Sequence, residues 1–363
     1  MKKNNVYVVI GARPQFIKYA PLSRELKNIV NANIIVVHTG QHYDKNMSKV
    51  FFDNLNIDPP TINLNINNLS RGKMIGEMIK KIDDEFSKCK PDIVILFGDT
   101  NSTLSGAVAA SSYQCEIIHV ESGLRSFNKQ MPEEHNRIVA DHLSTMLFVS
   151  SEVSKINLIN EGISEEKIVF SGDIMLDTFL SNKQKIINEK AYEKMDLLKN
   201  RYIITTIHRL ENTSDSSRLR NILKSLNTIS KQLFPVVFPI HPATKKAISS
   251  LNVDTENILM IDPCDYITFL SLVDGSNFII TDSGGLQKDA YYLGKKTLVF
   301  RNESEWPELK NDNASILVNP LESKDIIDSA NKLMNNKINY KNFYGDGNAS
   351  SIINNKIKEI LKK

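Results

Sequence analysis

The sequence has 363 residues, too many for a single small module and enough for about two domains of roughly 150 residues each. Its 41% hydrophobic and 24% charged residues are typical of a globular protein and exclude a disordered or collagen-like chain. The formal net charge of +3 is too small to favour general adhesion to nucleic acid or to anionic lipid. Any anion is therefore expected to be held by a local cluster of side chains.

The N-terminal segment and the cysteines predict a cytoplasmic protein. The start MKKNNVYVVIGARP has the lysines of a signal peptide, but its apolar run stops after five residues, short of the ~7–15 that such a peptide needs. No stretch approaches the ~20 apolar residues of a membrane span. Cys89, Cys115 and Cys264 are widely spaced, which argues against disulfides and structural zinc. We expect no nucleic-acid partner and no membrane insertion.

Short apolar, β-branched runs recur along the chain and are typical of buried parallel strands. In chain order they are Val6–Ile10, Ile34–Val37, Ile93–Phe97, Ile117–Val120, Met146–Val149, Ile203–Ile207, Val236–Ile240, Ile258–Ile261, Phe278–Thr281 and Thr297–Phe300. Segments of helical period separate them, as at Ile75, Met78, Ile79, Ile82 and Phe86. The alternation predicts an α/β fold in which helices cover parallel sheets.

The same pattern begins afresh in the second half of the chain, which predicts two doubly wound, Rossmann-like domains. The restart follows Ser181–Arg201, a polar, lysine-rich stretch that we predict to be one amphipathic helix at a domain boundary. We place that boundary near residue 170. The last helix, Ser350–Lys363, is compatible with packing on either domain.

Polar residues crowd the carboxyl ends of the predicted strands, where open α/β sheets bind their ligands. These strand ends and the helix starts beside them are therefore the candidate site. In the first half the candidates are Arg13, Lys18, His42, Asp99, Glu121, Arg125 and Glu133. In the second half they are His208, Arg209, His241, Ser283, Gly284, Gly285 and Arg301.

Ser283-Gly284-Gly285 joins a predicted strand to a helix without bulky side chains, so backbone N–H groups can face a diphosphate. The segment matches neither GxGxxG nor GxxxxGK[ST], which argues against NAD and ATP. A nucleotide diphosphate that takes no part in redox chemistry is the predicted ligand. Cations that could neutralise its charge are Arg13, Lys18, Arg209 and Arg301.

Three carboxylates are predicted to lie near one another. Asp99 and Glu121 end strands of the first domain, and Glu133 opens one of its helices. Gathered in one place, they suit general acid and base catalysis. In the alternative interpretation, Asp99 caps the helix that begins near Ser102, and Glu133 only interacts favourably with a helix dipole.

The histidines favour structural interpretations, with one exception. His119 lies inside an apolar strand and is expected to be a hydrogen-bonded core residue. His38 and His42 are separated by a glycine-containing turn, so they make weak metal ligands, and we predict no metal site. His208, at a strand end beside Arg209, is the best functional candidate.

Eight motifs, in order and over nearly the entire chain, resemble those of the non-hydrolysing UDP-N-acetylglucosamine 2-epimerases: GARPQFIK, HTGQHYD, FGDTNST, VESGLRSFN, MPEEHNR, TTIHRLEN, DSGGLQKDA and YGDGNAS. The resemblance implies a GT-B type fold with two Rossmann-like domains around a central cleft, and a homodimer. It also implies that the C-terminal helix returns to the first domain. The expected domains are then residues 1–170 plus 351–363, with the catalytic carboxylates, and residues 171–350, with the UDP site.

The family inverts C2 of a UDP-2-acetamido sugar by eliminating UDP to a 2-acetamidoglucal and adding it back, without a redox cofactor. The resemblance implies acid and base roles for Asp99, Glu121 and Glu133, and an active-site role for His208. It places Arg13 and Lys18 near the diphosphate and Ser283–Gly285 in the phosphate cradle. Asp289 stands where the family has a ribose-binding glutamate. The resemblance also suggests a role in the synthesis of surface polysaccharides.

Some departures resemble the branch that epimerises UDP-2,3-diacetamido-2,3-dideoxyglucuronate. They are Gln15, Trp306 and the short loop Ser126–Met131, which contains Lys129. The neutral Gln15 and the nearby Lys129 suit a uronate carboxylate. Gln41, Arg71 and Glu133 match a site at which some relatives bind a second UDP-sugar, although Asp44 replaces a typical glutamine. Three other functions stay open: a GT-B glycosyltransferase, a hydrolysing 2-epimerase and a non-catalytic UDP-sugar sensor.

Overall fold

The computed structural model describes residues 3–41, 55 and 57–362, and the chain divides into two compact units. Unit 1 comprises Met1–Leu180 and Asn342–Lys363, and unit 2 comprises Ser181–Lys341. The first segment of unit 1 ends at Leu180, ten residues after the expected boundary at 170. Its second segment begins at Asn342, nine residues before the expected start at 351. The Thr178 hydroxyl donates to the carbonyl of Ile17 at 2.8 Å, and the Asp173 N–H donates to that of Tyr344 at 2.8 Å. Both bonds fasten the extra residues to unit 1.

Unit 1 contains a seven-stranded sheet in the order β3-β2-β1-β4-β5-β6-β7, and every pairing is parallel. Its strands are β1 (Asn4–Ile10), β2 (Ala32–His38), β3 (Ile62–Asn63), β4 (Ile93–Phe97), β5 (Glu116–Ser122), β6 (Met146–Val149) and β7 (Ile168–Phe170). The helices that alternate with them are α1 (Arg13–Leu26), α2 (Arg71–Lys88), α3 (Asn101–Ala110), α4 (Pro132–Leu143) and α5 (Glu152–Asn160). Helix α6 (Ile174–Glu189) follows β7 and continues past Leu180, the last residue of this segment of unit 1.

Unit 2 contains a six-stranded parallel sheet in the order β10-β9-β8-β11-β12-β13. Its strands are β8 (Ile203–Thr206), β9 (Val236–Pro239), β10 (Ile258–Ile261), β11 (Phe278–Thr281), β12 (Lys296–Val299) and β13 (Ser315–Leu317). Its helices are α7 (Leu210–Thr213), α8 (Ser216–Gln232), α9 (Pro242–Ser249), α10 (Tyr266–Gly275), α11 (Gly284–Tyr292), α12 (Pro307–Asn311) and α13 (Ser323–Asn335). The predicted α/β class with two Rossmann-like units is confirmed.

The final helix, α14 (Ala349–Ile360), belongs to unit 1. The Asp177 carboxylate accepts hydrogen bonds from the N–H groups of Ala349 and Ser350, at 3.1 and 2.7 Å. These are N–H groups that the first turn of a helix leaves without an intrahelical partner. Burial raises the pKa of Asp177, although these bonds oppose the shift. The C-terminal helix therefore packs where the resemblance places it.

The sheet cores follow from continuous burial of the strands. Every residue of β4 is buried, and α2 turns Met78, Ile82 and Phe86 towards it. Each such side chain contributes about 1.5–3 kcal/mol when it leaves water. Both sheets carry helices on their faces, which leaves the strand ends to bind ligands.

The predicted single helix over Ser181–Arg201 is wrong. Helix α6 begins at Ile174 and ends at Glu189, and a single 3-10 turn follows at Glu193–Met195. Lys190, with φ of +44°, lies in the left-handed region, which ends the helix. Among the described helices, none is long and apolar enough to cross a membrane.

Candidate active site

The first part of the candidate site lies at the carboxyl edge of the unit 1 sheet. Strands β1, β4 and β5 are neighbours there, so the segments that follow them come together. A β-bulge interrupts the pairing of β5 with β6 between Val120 and Ser122. Glu121 lies in this bulge with φ of +67°, an uncommon conformation for a residue with a side chain. The bulge thus gives Glu121 a direction that regular strand alternation does not provide.

Glu121 forms a buried ion pair with Lys18 of helix α1. Only 9% of Glu121 and 6% of Lys18 is exposed, so water screens their attraction weakly. Gly98, just past β4, lies against this pair, and a Cβ atom there would come 2.8 Å from the Lys18 Nζ. Gly98 also has φ of +59°, so both space and conformation require a glycine.

Asp99 follows this glycine, and its carboxylate forms an ion pair with Arg137 of helix α4. Its carbonyl accepts a hydrogen bond from the Asn136 side chain at 2.8 Å. The cap of the next helix is Thr100, whose hydroxyl accepts from the Thr103 N–H at 3.3 Å. The capping interpretation of Asp99 is therefore wrong, and its carboxylate is fixed by Arg137.

The two glutamates at the start of α4 have different environments. Glu133 is half-buried, and within the described chain its side chain makes no hydrogen bond. Glu134 is buried and accepts from the backbone N–H groups of Ser126 and Phe127, at 3.0 and 2.8 Å. It also pairs with Arg137 at 2.7 Å. Glu134 therefore supports the loop before α4, whereas Glu133 is available for chemistry.

Arg125 is nearly fully buried, and its guanidinium is used within the protein. It lies 2.7 Å from Asp141 and donates two hydrogen bonds to Glu161, at 2.7 and 2.6 Å. Burial lowers the pKa of Arg125, but these two carboxylates raise it by more. The geometry favours a structural role, and the predicted substrate contact of Arg125 stays a prediction.

Gln15 is fully buried and cannot meet a substrate where it lies. Its Oε1 accepts from the N–H groups of Gly11 and Ala12, at 2.8 and 3.1 Å. Its Nε2 donates to the Phe97 carbonyl and the Thr103 hydroxyl, both at 3.1 Å. The expected contact between Gln15 and a uronate carboxylate is therefore wrong, since the side chain holds the loop after β1. Arg13 is half-buried at the first position of α1.

In unit 2, the neighbouring ends of β8 and β11 bring His208 and Arg209 beside Asp282. The fully buried Asp282 carboxylate lies 2.9 Å from the His208 Nδ1 and accepts the backbone N–H of Arg209 at 3.0 Å. The Asn212 side chain donates to it at 3.1 Å. Burial raises the pKa of Asp282, but His208, Asn212 and Arg209 lower it by more. An ionised carboxylate therefore organises this end of the sheet.

Helix α11 begins at the carboxyl end of β11, as the sequence predicts. Ser283 is its N-cap and accepts from the Leu286 N–H at 3.4 Å. A Cβ atom at Gly285 would meet no atom within 4 Å, so the helix start is open to a ligand. The Trp306 indole donates to the Gly284 carbonyl at 3.1 Å, and the Lys288 Nζ lies 4.1 Å from its ring centroid. The expected anion cradle thus has an open backbone and a rigid support.

The remaining predicted residues occupy more varied places. Arg301 is 2% exposed and forms two hydrogen bonds with Glu305, at 2.7 and 3.0 Å, so its predicted role in neutralising a diphosphate stays a prediction. His241 is exposed and caps α9 by accepting from the Ala243 N–H at 3.3 Å. Asp289 is buried in α11. His42 lies outside the described residues.

Sequence reasoning did not identify Glu134, Arg137, Asp141 and Asp282 as part of the site. A signal for the first three was present, since their spacing of three and then four places them on one face of a helix. Asp282 directly precedes the Ser283-Gly284-Gly285 segment, and nothing in the sequence distinguishes its role from that of its neighbours. The described residues contain no cluster of three His, Cys, Asp or Glu side chains that could hold a metal ion.

Two Rossmann-like units, one with carboxylates at its strand ends and one with a helix N-terminus open to an anion, define a GT-B type nucleotide-binding enzyme. The family model described as UDP-N-acetylglucosamine 2-epimerase matches residues 24–358. The chain belongs to this family and is an isomerase. The predicted resemblance is therefore confirmed.

Individual relatives agree over nearly their whole length. The chain is 41% identical to a UDP-N-acetylglucosamine 2-epimerase homolog of Methanococcus maripaludis, over 98% of this chain and 99% of that protein. It is also 41% identical to the UDP-2,3-diacetamido-2,3-dideoxy-D-glucuronate 2-epimerase of Pseudomonas aeruginosa, over 99% of both. The crystal structure of the Methanocaldococcus jannaschii UDP-GlcNAc 2-epimerase in complex with UDP-GlcNAc and UDP matches with a TM-score of 0.91, at 36% identity, over 98% of this chain and 99% of that one.

Proposed function

We propose that this enzyme inverts C2 of a UDP-2-acetamido sugar by eliminating UDP and adding it back to the other face. The substrate is UDP-N-acetylglucosamine or its 2,3-diacetamido glucuronate derivative, the two kinds of sugar nucleotide named for its relatives. The observation that carries the proposal is the placement of Asp99 and Glu121. Each is a carboxylate at a central strand end and is paired with a cation, Arg137 or Lys18.

The chemistry explains why such groups are needed. The C2 proton of the sugar is weakly acidic, so its removal must accompany departure of UDP from C1. A base takes the proton, the C2–H electrons form the C1–C2 double bond, and the C1–O electron pair leaves with the diphosphate. Re-addition reverses these steps and delivers a proton to the opposite face of C2. We assign these proton transfers to Asp99, Glu121 and Glu133 as a set.

Unit 2 supplies the groups that suit a leaving diphosphate. The backbone N–H groups at the start of α11 carry partial positive charge, and Ser283, Gly284 and Gly285 leave them accessible. His208 and Arg209 are held beside this helix start by Asp282. Charge that develops on the diphosphate is stabilised by donors already in place, which is how electrostatic preorganisation lowers a barrier. Arg13 and Lys18 are further candidate contacts of the substrate, and Asp289 of the ribose.

The test is solvent exchange at C2. The protein is incubated in D2O with UDP-N-acetylglucosamine or with the diacetamido uronate, and C2 is followed by NMR. We expect deuterium at C2 and formation of the 2-epimer without added NAD, metal or acceptor. A Glu121→Gln protein is the matched control for contaminating activity. Epimerisation that requires NAD, or that retains the C2 proton, would contradict the elimination.

We also propose that the enzyme works in the cytoplasm and as a homodimer. No disulfide joins Cys89, Cys115 and Cys264 in the described chain, which suits a reducing compartment. The homodimer rests on the family resemblance. Sedimentation equilibrium at several protein concentrations would test it, and a single species of 41.1 kDa would contradict it.

A further inference from the structure

His119 is fully buried in β5, and both of its ring nitrogens face acceptor atoms. Nδ1 lies 2.7 Å from Oδ1 of Asp141, on helix α4. Nε2 lies 2.7 Å from the carbonyl oxygen of Gly98, just past β4. The ring therefore links the segment that carries Asp99 to the helix that carries Glu133.

The chemistry of these two neighbours fixes the protons on the ring. A backbone carbonyl oxygen only accepts hydrogen bonds, and so does an ionised carboxylate. The other oxygen of Asp141 accepts from the Gly123 N–H at 3.1 Å and lies 2.7 Å from the Arg125 guanidinium. Burial raises the pKa of Asp141, but His119 and Arg125 lower it by more, which keeps the carboxylate ionised.

A buried imidazolium is electrically acceptable here because its surroundings balance it. The charged group that faces His119 from α4 is Asp141, and the group that faces it from β4 is the uncharged Gly98 carbonyl. Arg125, beyond Asp141, is matched by Glu161. The cations His119 and Arg125 thus alternate with the anions Asp141 and Glu161. Each buried charge in this series has a partner of opposite sign.

We propose that His119 is a positioning residue that, with both ring nitrogens protonated, holds the Gly98 peptide and through it the catalytic carboxylates. The proposal rests on the function proposed above. Gly98 immediately precedes Asp99, and its Cα packs against the Lys18–Glu121 pair. A shift of this one peptide would displace two of the three carboxylates.

Helix α4 strengthens the coupling. Asn136 and Arg137 hold the carbonyl and the carboxylate of Asp99, and Asp141 lies one turn further along the same helix. Asp141 also fixes the Gly123 N–H, two residues after Glu121. The His119–Asp141 pair thus joins the segments on both sides of the site to a single helix. Misplacement of a reacting group by about 1 Å can cost on the order of 10²-fold in rate.

The first test is independent of enzyme activity. Histidine labelled with 15N in the ring is incorporated, and the signal of His119 is assigned as the one missing from His119→Gln. We expect both His119 ring nitrogens to carry protons at neutral pH, because each of them faces an acceptor oxygen at 2.7 Å. An unprotonated ring nitrogen on His119 at neutral pH would overturn the proposal.

The second test uses a designed exchange of donors and acceptors. In His119→Gln the amide N–H can still reach the Gly98 carbonyl, but the amide oxygen then faces the Asp141 carboxylate. We expect kcat per folded molecule to fall on the order of 10²-fold, while KM and UDP affinity change by less than about twofold. Adding Asp141→Asn supplies a donor opposite that oxygen, so the double variant should recover about tenfold of the loss.

His142→Gln is the matched control, since His142 lies on the same helix with a side chain 47% exposed and approaches only the outermost member of the charge series, Glu161, at 3.5 Å. Its kcat should equal that of the wild type. If folded His119→Gln has a lower melting temperature but a wild-type kcat, His119 serves packing alone and the proposal fails. If the variants do not fold, the protonation state in the wild type decides. Absence of C2 exchange in the wild type would instead reject the proposed function, and it would leave the NMR result unaffected.

Discussion

The Nδ1 of His208 lies 2.9 Å from Oδ1 of Asp282, a carboxylate that is fully buried at the end of β11. Because the carboxylate accepts, Nδ1 must donate, and Nε2 is left as the working nitrogen of the ring. The His208 side chain is 55% exposed, so that nitrogen is accessible to a ligand. Asp282 therefore selects the tautomer of His208 and at the same time fixes the backbone of Arg209.

Asp282→Asn should impair catalysis through the wrong histidine tautomer. The asparagine amide can place an N–H donor opposite Nδ1. Nδ1 would then accept a hydrogen bond, and the neutral ring would carry its proton on Nε2 instead. We expect turnover to fall by about 10²-fold or more, in the range of a mispositioned acid or base. The measurement is the rate of C2 deuterium exchange at saturating substrate. Asp254→Asn, at an exposed carboxylate bonded to Asn227, is the control and should exchange normally. A wild-type rate in Asp282→Asn would contradict the tautomer assignment.

The same carboxylate should make folding sensitive to acid. The pKa of Asp282 in the folded protein lies below its usual value of 3.8. Its contribution to stability is thus complete above that value and is lost as the pH falls through the folded pKa. Urea unfolding of wild type and Asp282→Asn should therefore differ more at neutral pH than in strong acid. An equal difference at both pH values would show that the carboxylate charge contributes nothing.

The fold could be predicted because buried parallel strands are continuous apolar runs. All ten predicted runs became strands, whereas the edge strands β3, β7 and β13 have only two or three residues and give no such signal. The helix predicted over Ser181–Arg201 is interrupted at Lys190, which adopts a left-handed backbone conformation that a lysine in a polar stretch does not predict. Periodicity therefore identifies long elements and misses the local backbone choices that end them.

The site was predictable only as far as strand ends locate polar residues. Asp99, Glu121, His208 and Ser283 lie at such ends, as expected. The different roles of Glu133 and Glu134 depend on the rotation of α4 against the preceding loop, which sequence spacing does not fix. The neutral Gln15 suggests a contact with a uronate carboxylate, yet its buried amide accepts from the Gly11 N–H and donates to the Phe97 carbonyl of β4.

Asn or Gln isosteres of the three carboxylates should each reduce turnover. We expect Asp99→Asn, Glu121→Gln and Glu133→Gln to lower C2 exchange by about 10²–10⁴-fold, the range for a positioned acid or base. Glu322→Gln, an exposed glutamate before α13, is the matched control. Losses in double variants should not add, because groups that serve one transition state act together. If all three variants keep nearly normal exchange, the carboxylate assignment is wrong.

Ser283→Asp should weaken UDP binding while helix α11 stays intact. Aspartate is as good an N-cap as serine, so the helix keeps its cap, but a negative charge then faces the diphosphate. We expect UDP affinity, measured by calorimetry, to fall at least about tenfold. The positive end of the helix attracts anions, and the new carboxylate opposes that attraction. Ser216→Asp, at the exposed start of α8, repeats the charge change away from the cradle and should leave affinity unchanged. Unchanged affinity in Ser283→Asp would place the nucleotide elsewhere.

Substrate choice should depend on Lys129, since Gln15 is buried and cannot take part. The loop from Ser126 is held by Glu134, which accepts the N–H groups of Ser126 and Phe127 and leaves Lys129 exposed. A uronate carboxylate at C6 can then pair with the Lys129 ammonium, whereas the C6 hydroxyl of UDP-N-acetylglucosamine cannot. We expect a higher kcat/KM for the diacetamido uronate than for UDP-N-acetylglucosamine. Lys129→Ala should lower kcat/KM about tenfold for the uronate alone, the size of one charge-assisted contact.

The control is Gln130→Ala, one residue along, which should leave kcat/KM unchanged for both substrates. A relative named for the diacetamido uronate is 41% identical to this chain and one named for UDP-N-acetylglucosamine is 39% identical, so sequence identity does not choose between the two sugars, and this measurement does. An equal effect of Lys129→Ala on both substrates, or a preference for the plain acetamido sugar, would return the assignment to UDP-N-acetylglucosamine.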